Sequence, residues 1–224
     1  MGISKLIALQ ATLSVFAYLK HLGLSLISIV YASLMSFLVA IASHSGIDLP
    51  SLLGKKSDGS LPLLSIIIFG PFLYFVRLFV LTRRLVSNEP PYNEVCEGVY
   101  VGGWPYSSKT LPPGEPAIID CTAELPRALV ASHCSYFCIP TWDTRAPKPS
   151  DIESAVKWAL RKRALNKPVF VHCAFVALGV AQDWKNAENI IRERRPCISM
   201  NSLQRKSLEE WSMHHQMSSR AKNE

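Results

Sequence analysis

The sequence predicts an α/β protein in which a mainly parallel sheet is covered by flanking helices and is preceded by an N-terminal transmembrane helical region. Charge is distributed unevenly: of 24 Lys+Arg and 17 Asp+Glu, residues 1–82 hold only 5 basic and 2 acidic side chains. This contrast separates an apolar N-terminal third from a remainder of ordinary composition. In that remainder, short β-branched and aromatic runs alternate with amphipathic helical patterns, which is typical of a parallel sheet with helices on both faces.

Two long apolar runs predict membrane spans. Residues 22–43 form an uncharged run of 22 residues, long enough to cross a bilayer core of about 30 Å. Residues 61–81 form a second run, and its single charge, Arg77, lies near the end, from which it can snorkel to the interface. Residues 6–19 are apolar but short, so a third span, an interfacial helix and a signal-like segment remain open. Residues 1–82 are therefore predicted to be a membrane anchor; the alternative is a buried helix pair in a soluble protein.

Basic residues next to these runs predict how the anchor is oriented. Lys5 and Lys20 precede the first run, and Arg83 and Arg84 follow the second directly. Positive residues favour the cytoplasmic side, so a two-span hairpin places both the N-terminus and the C-terminal domain in the cytosol. Residues 45–60 would then be the connecting loop on the other side of the membrane. The lysine pair within this loop, Lys55 and Lys56, argues against that assignment. The predicted localisation is a multi-pass membrane protein with a cytosolic C-terminal domain.

The C-terminal part is predicted to follow a Pro-containing linker at residues 83–97. Residues 98–213 hold the predicted sheet and its helices, and residues 214–224 are predicted to be a flexible tail. The first helix of this region has Ser150 as a suitable N-cap. The strands are predicted at residues 99–101, 117–121, 136–140 and 169–171, and the helices at residues 151–165, 177–194 and 202–213.

The most informative stretch is residues 169–175. There the strand-forming run Val169-Phe170-Val171 ends abruptly in His172-Cys173, and apolar, helix-capable sequence follows. A strand that delivers a cysteine to the start of a helix lowers the pKa of its thiol, because backbone N–H groups and the helix dipole favour the thiolate. Taken alone, a cysteine at the end of a strand is more often a small buried hydrophobe.

In its context, this stretch resembles the signature of the cysteine-based dual-specificity (tyrosine-type) protein phosphatases, most closely a plant-like, membrane-anchored member. The resemblance covers about residues 98–213. It implies that Cys173 is the nucleophile that forms a cysteinyl-phosphate and that His172 supports the thiolate. It also implies that Ala174 and Phe175 are the remnant of a phosphate-binding loop. The substrate would be a phosphoprotein or another phosphoester, and the thiolate mechanism needs no metal and no cofactor.

The resemblance also assigns a general acid. Asp143 lies 30 positions before Cys173, where the family keeps the aspartate that protonates the leaving oxygen and then deprotonates the attacking water. Asp120 is the alternative, but it ends a buried-type strand and is expected to make structural hydrogen bonds. Trp142 is expected to anchor the loop. Arg145 is interpreted as a solvated loop charge, the alternative being a contact to an anionic substrate.

The resemblance has a gap directly after Phe175. The family closes its phosphate loop with an arginine six positions after the cysteine, whose guanidinium grips two phosphate oxygens. Gly179 occupies that position here, and no arginine lies between positions 163 and 192. The simplest account is a deletion of the glycine- and arginine-bearing part of the loop. Arg195, several turns along the following helix, is expected to be too distant to replace the missing side chain.

These observations predict a membrane-anchored, dual-specificity-phosphatase-like protein whose catalysis is lost or strongly impaired. The reason is the missing arginine, because one preorganised donor contributes about 3 kcal/mol to stabilisation of the transition state. The alternative is a non-catalytic, membrane-tethered adaptor that binds a protein partner; a third hypothesis is that the shortened domain does not fold stably. The modest basic excess gives no nucleic-acid signature. Six scattered cysteines show neither metal-ligand spacing nor a disulfide framework, so no metal is expected and a reducing compartment is the default.

Overall fold

The described part of the chain is built around a sheet of five strands. The computed structural model describes residues 10–13, 26–143, 145–172, 184–198 and 200–220. The strands are β1 (Tyr92–Cys96), β2 (Val99–Gly102), β3 (Ala117–Asp120), β4 (Tyr136–Cys138) and β5 (Val169–His172), in the spatial order β1-β2-β5-β3-β4. β1 and β2 pair antiparallel, and the remaining pairs are parallel. The mainly parallel sheet predicted from the sequence is confirmed, and β5 lies at its centre.

Helices occupy the N-terminal third and flank the sheet. They are α1 (Leu26–Ala42), α2 (Leu63–Ile68), α3 (Gly70–Val86), α4 (Pro149–Ala164), α5 (Trp184–Arg194) and α6 (Ser202–Arg220). A short 3-10 helix, Pro50–Leu53, lies between α1 and α2. The flanking helices of the predicted α/β architecture are therefore present.

Three boundaries differ from the sequence prediction. Residues 92–96, expected to belong to a linker, form the edge strand β1. Helix α4 begins at Pro149 with Lys148 as its N-cap, because proline at the first helical position loses no hydrogen bond and fixes a helical φ; Ser150 is therefore inside the helix. Helix α6 continues to Arg220, through part of the predicted tail.

The alternation of side chains along the central strands produces two different sheet faces. Val169 and Val171 of β5 point to the face on which Ala155 and Ala159 of α4 pack. Phe170 points to the opposite face, where the short turn at residues 129–131 and loop side chains cover it. His172, the last residue of β5, shares the face of Phe170 and is fully buried.

The N-terminal helices pack against loops at one end of the sheet. Their inward side chains join Ala123, Leu125 and Trp142 in one core cluster; its N-terminal members are Met35, Val39, Ala42, Leu53, Leu61, Phe69, Phe72, Leu73 and Val76. Tyr31 of α1 donates a hydrogen bond to the Ile67 carbonyl at 2.6 Å, which ties α1 to α2. Across the residues that the structure describes, no helix combines the length and apolar character that a membrane span requires.

The predicted connecting loop, residues 45–60, lies directly against the sheet domain. Lys55 Nζ donates a hydrogen bond to Asp120 Oδ2 at 2.5 Å, and the backbone N–H of Arg127 donates to the Gly59 carbonyl at 2.8 Å. A loop separated from the C-terminal domain by a bilayer core of about 30 Å could not make these contacts. The two-span hairpin with this loop on the far side is therefore not supported by the structure.

Candidate functional site

The carboxyl ends of the parallel strands meet at one edge of the sheet. In the strand register, His172 of β5 lies between Gly102 of β2 and Asp120 of β3, and Asp120 in turn pairs with Cys138 of β4. Open α/β sheets bind their ligands at this edge, because the loops that leave the strands diverge there. A cavity of about 260 Å³ opens along it. We call it the edge cavity.

The edge cavity has a mixed lining. Its charged side chains are Arg83, Arg84, Arg145 and Arg195 together with Glu89, Glu124 and Asp143. Its apolar walls come from helix α3 and from two tryptophans and a leucine on the sheet side; the members are Val76, Phe79, Val80, Trp104, Leu125 and Trp142. The site therefore combines a cationic region with an apolar one.

Beside the edge cavity, Asp120 is the centre of a buried polar network. Its Oδ2 accepts hydrogen bonds from Lys55 Nζ at 2.5 Å and from the Tyr136 hydroxyl at 2.6 Å. Its Oδ1 accepts from the Thr122 hydroxyl at 2.7 Å and from the Thr122 backbone N–H at 2.9 Å, and His172 Nε2 is 3.6 Å away. The interpretation that Asp120 makes structural hydrogen bonds agrees with this geometry.

The protonation states in this network follow from burial and from the neighbouring groups. Burial acts to raise the pKa of Asp120, but His172, then Lys55, and the hydrogen bonds donated by Lys55 and Tyr136 hold it below its usual value. Burial lowers the pKa of His172 to about 4, the Lys55 charge adds to that effect, and the Asp120 carboxylate opposes it. His172 is therefore neutral near pH 7, and Lys55 is the counter-ion of Asp120.

Two further carboxyl groups lie in the edge cavity itself. Burial, and then the nearby Asp143 carboxylate, raise the pKa of Glu124 to about 8. The Asp143 side chain is exposed at the cavity mouth; desolvation by the surrounding wall raises its pKa and the charge of Arg83 opposes the rise. A carboxyl group with a raised pKa that faces a cavity has the properties of a general acid.

The structure brings two of the predicted site residues to the same edge. His172 is fully buried at the end of β5, and Asp143 lies on the edge cavity. Cys173, Ala174 and Phe175 lie outside the described residues, so their roles stay predictions. Trp142 is only 1% exposed and packs in the N-terminal core cluster, so it anchors its loop as predicted.

Two arginines make contacts that the sequence did not indicate. Arg145 was expected to be a solvated charge, but its Nε donates to the Ser43 carbonyl at 2.9 Å, next to the C-terminal end of α1. Arg195 was expected to be too distant to replace the missing arginine, and the loop it would have to reach lies outside the described residues; Arg195 itself lines the edge cavity. Its Nη1 donates to the Pro90 carbonyl at 3.0 Å and to Asn93 Oδ1 at 2.6 Å, because α5 ends beside the start of β1.

Sequence reasoning missed Lys55 and Glu124. Lys55 lies 65 residues before its partner Asp120, and nothing local in a polar loop marks a lysine for burial. Glu124 carried a usable signal, since it closely follows Asp120, the end of a parallel strand, and loops at such ends form ligand sites. Arg83 and Arg84 were interpreted only as signals of membrane orientation, although both line the edge cavity.

Solved structures that align with this chain include dual-specificity phosphatases. Human DUSP28 aligns with a TM-score of 0.50 and 14% sequence identity, covering 57% of this chain and 96% of that chain. A mouse putative dual specificity phosphatase, complexed with zinc tungstate, aligns with a TM-score of 0.49 and 14% identity, covering 59% and 93%. A human tyrosine phosphatase-like serine/threonine/tyrosine-interacting protein gives 0.47 and 16%, covering 55% and 97%.

No protein-family model matches the sequence, and no curated protein sequence matches it. The likeness to solved structures is therefore one of fold. It confirms the resemblance drawn from the His172-Cys173 stretch at that level: the chain has a dual-specificity-phosphatase-like fold.

Proposed function

We propose that this chain is a phosphatase-like protein whose site for phosphoester chemistry is the carboxyl edge of the sheet. The observation that supports the proposal most directly is the position of His172. It ends the central strand β5 between Gly102 and Asp120, and Cys173 is the next residue in the sequence. The nucleophile of a thiol-based phosphatase is thus expected at the strand end that borders the edge cavity.

In this proposal Cys173 attacks phosphorus as a thiolate and forms a cysteinyl-phosphate, which water then hydrolyses. Asp143 donates a proton to the leaving oxygen and afterwards accepts one from the attacking water; burial raises the pKa of Asp143, and the charge of Arg83 opposes the rise. His172 is neutral near pH 7. It supports the thiolate by orientation and hydrogen bonding instead of by a positive charge.

Catalysis by this form of the protein is proposed to be strongly impaired. Gly179 stands where the family has the arginine that grips the phosphate, and one preorganised donor contributes about 3 kcal/mol to transition-state stabilisation. The same absence supports the alternative function, a non-catalytic adaptor that binds a protein partner and does not turn it over. The phosphoester chemistry of the site and the loss of the arginine are separable in the experiment below.

Attachment to a membrane, with the sheet domain on the cytosolic side, is the second part of the proposal. It is supported by a row of exposed apolar side chains on α1 and α2, which water would not favour on a monomer. Those exposed by half or more include Val30, Leu34, Phe37, Leu63, Leu64 and Ile67. The basic pair at the end of α3, Arg83 and Arg84, supports the cytosolic orientation.

The test is hydrolysis of a small aryl phosphate by the full chain. The full chain is needed because Lys55 pairs with Asp120 and a fragment that begins after α3 would lack it. We expect no turnover above background from the chain as it stands, and turnover after insertion of a glycine- and arginine-bearing loop behind Phe175. Cys173→Ser in the inserted form should abolish that turnover.

Each outcome separates the alternatives. Turnover by the unmodified chain that depends on Cys173 would show that the impairment is wrong and that another group holds the phosphate. A folded inserted form without any turnover would contradict the phosphatase-like site and leave the adaptor function. Folding is checked independently by a cooperative thermal transition of each variant.

A further inference from the structure

We infer that the edge cavity binds a phosphorylated lipid, with helix α3 supplying both an apolar wall for the lipid chain and the arginines for its phosphate. This inference rests on the proposed function, because it names the substrate or ligand class of the same site. It favours an amphiphilic phosphate monoester over a phosphorylated peptide. The argument comes from one face of α3, from the charges in the edge cavity and from the side chains beside its mouth.

One face of α3 lines the edge cavity along more than two turns. The lining positions are Val76, Phe79, Val80, Arg83, Arg84 and Ser87, and this spacing of three and four residues defines a single helical face. The face is apolar at its first three positions and cationic at the next two. From Val76 to Arg83 the helix rises about 10 Å, so the apolar and cationic parts follow one another at the scale of a headgroup and the start of an acyl chain.

The opposite wall continues this division. Trp104, Leu125 and Trp142 face the edge cavity from the sheet side. Trp104 Nε1 donates its hydrogen bond to the Pro126 carbonyl at 2.9 Å. Because Leu125 and Trp142 are only 2% and 1% exposed, an apolar chain would lie mainly between Phe79 of α3 and the half-buried Trp104 on the other side, where burial of its methylenes is favourable.

The charges assign the phosphate to α3. Arg195 is held by Asn93 Oδ1 at 2.6 Å, and Arg145 by the Ser43 carbonyl, so both guanidiniums already serve the fold. Arg83 and Arg84 belong to the last turn of α3, and the Arg84 guanidinium reaches a backbone carbonyl only at 3.5 Å. Arg84 is thus a cation that a phosphate can recruit without loss of a strong protein contact, and Arg83, which faces the Asp143 carboxyl group, lies directly beside it.

The acidic residues of the edge cavity offset this charge only in part. The raised pKa of Glu124, about 8, keeps this residue mostly protonated near pH 7. The Glu89 carboxylate lies 3.9 Å from the Arg195 guanidinium, so the charges of these two side chains offset each other. Asp143 remains opposite Arg83, where the proposed chemistry needs a proton donor close to the phosphoester oxygen.

Side chains beside the mouth favour a ligand that comes from a bilayer. Leu85 and Val86 directly follow the two arginines and are 84% and 80% exposed. Leu78 and Tyr74, earlier on α3, are also exposed. Exposed apolar residues adjacent to arginines suit a membrane interface, where the chains enter the acyl region and the guanidiniums meet lipid phosphates.

Binding to the full chain is measured by its tryptophan fluorescence, since two of the five tryptophans, Trp104 and Trp142, line the edge cavity. The probes are short-chain phosphatidic acid dispersed as monomers, glycerol 3-phosphate as the headgroup alone, and a tyrosine-phosphorylated peptide. We expect the lipid to bind most tightly. Arg83→Gln should weaken binding of lipid and headgroup alike, by about tenfold for one charge-assisted contact, whereas Arg161→Gln at the exposed end of α4 should not.

Phe79→Ala tests the contribution of the acyl chain of the lipid separately from that of its headgroup. It should weaken lipid binding by about tenfold and leave glycerol 3-phosphate binding unchanged. Leu78→Ala, on the exposed side of the same helix, is the matched truncation and should have no effect on monomeric lipid. Equal binding of lipid and headgroup, or no effect of Phe79→Ala, would overturn the lipid assignment.

The same titrations distinguish the two proposals. If the phosphopeptide binds more tightly than the lipid, the lipid inference is wrong and the phosphatase-like site stands. If no phosphorylated probe binds to the folded protein, both are wrong, because the edge cavity then recognises no phosphate.

Discussion

The carboxylate of Asp120 joins three parts of the molecule that are distant in sequence. It accepts hydrogen bonds from Lys55 in the N-terminal loop and from Tyr136 on β4, and it lies 3.6 Å from His172 on β5. These contacts of Asp120 lie in the protein interior, where an unpaired charge is costly and a hydrogen-bonded ion pair is tolerated. The N-terminal third therefore contributes a residue to the electrostatics of the strand end that precedes Cys173.

Replacement of Lys55 by methionine should be strongly destabilising. The change leaves the Asp120 carboxylate buried without its cation, which typically costs about 3–5 kcal/mol. Unfolding in denaturant would measure it. Lys56→Met is the matched control, because Lys56 is the exposed neighbour and surface substitutions typically change stability by no more than about 0.5 kcal/mol.

A double substitution tests whether the loss belongs to the pair. Asp120→Asn removes the charge but keeps one oxygen, which can accept from the two Thr122 donors, while the amide nitrogen takes the place of the Oδ2 that accepts from Tyr136. In the Lys55→Met/Asp120→Asn protein the destabilisation should be smaller than the sum of the two single effects. Additive effects would show that Lys55 and Asp120 act independently, contrary to their contact.

For single residues, the sequence predicted the role of a side chain better than it predicted which residues that side chain contacts. Asp120 as a structural residue and Trp142 as an anchor both followed from their places at the end of a buried strand and in the loop after it. Lys55 did not, since its burial depends on tertiary contact with β3, and a lysine in a loop is mostly exposed. The protonation of Glu124 likewise depends on burial and on Asp143, two facts of three-dimensional packing.

At the scale of secondary structure, strongly patterned segments were predicted and weakly patterned ones were not. Strands β2, β3, β4 and β5 are short apolar runs, and each was located within three residues of its ends. Strand β1 has the sequence Tyr-Asn-Glu-Val-Cys, with one buried side chain among five. Because β1 lies at the edge and pairs on one side only, neither alternation nor a continuous apolar run was present to mark it.

The N-terminal helices show why apolar runs alone mislead. Composition cannot distinguish side chains that face lipid from those that face protein. In α1, Val39 and Ala42 are buried in the N-terminal core cluster, whereas Leu34 and Phe37 are exposed. Helix α3 divides in the same way between Phe72 and Leu78. The alternative that the sequence left open, a helix pair buried against protein, accounts for the inward faces.

Deletion of residues 1–85 should destabilise what remains. The deletion exposes Ala123, Leu125 and Trp142, which pack against α1 and α3, and it removes Lys55. We expect the fragment 86–224 to lose most of the cooperative thermal transition shown by the full chain, because these losses together approach the whole stability of about 5–15 kcal/mol of a small domain.

A fragment that keeps the loop is the control for this deletion. Residues 44–224 lack α1 but retain Lys55, α2 and α3, so their transition should lie between those of the full chain and of the shorter fragment. Circular dichroism and tryptophan fluorescence would follow the transitions. A fragment 86–224 that melts cooperatively at the temperature of the full chain would show that the N-terminal helices are independent of the sheet domain.

For the whole molecule, two buried groups give the stability opposite dependences on pH. The pKa of His172 falls from 6.5 to about 4 on folding, so its contribution is present above pH 6.5 and is lost as the pH falls towards 4. The pKa of Glu124 rises from 4.5 to about 8, so its contribution is present below pH 4.5 and is lost as the pH rises towards 8. The two effects oppose each other in between.

The Glu124→Gln protein should therefore differ from the parent in a pH-dependent way. Glutamine imitates the protonated carboxyl group, so the substitution should be nearly neutral at pH 5 and stabilising at pH 8, where the buried carboxylate of the parent ionises. Melting temperatures at the two pH values would measure this. Glu97→Gln, at the exposed turn between β1 and β2, controls for the loss of one surface carboxylate. A Glu124→Gln effect that is equal at both pH values would contradict the raised pKa.

The fold as a whole was predictable because the alternation of strands and helices survives in the sequence as periodicity. The arrangement of the site was predictable only where residues lie at strand ends, as His172 does. The edge cavity was not, because its walls come from α3, from the residues between α3 and β1, from the loops after β2, β3 and β4, from the residue after α5 and from α6. These segments, which are distant in sequence, come together only in the folded structure.

The central position of β5 has a consequence for folding of the protein during its synthesis on the ribosome. Among the described residues β5 is the last strand, but it lies between β2 and β3, so before Val169 is made the described strands can form only two separate ribbons, β1-β2 and β3-β4. Each ribbon then presents an unpaired edge, a surface that invites association with other chains. The sheet closes when β5 is inserted, and the edge that precedes Cys173 is formed in that same late event.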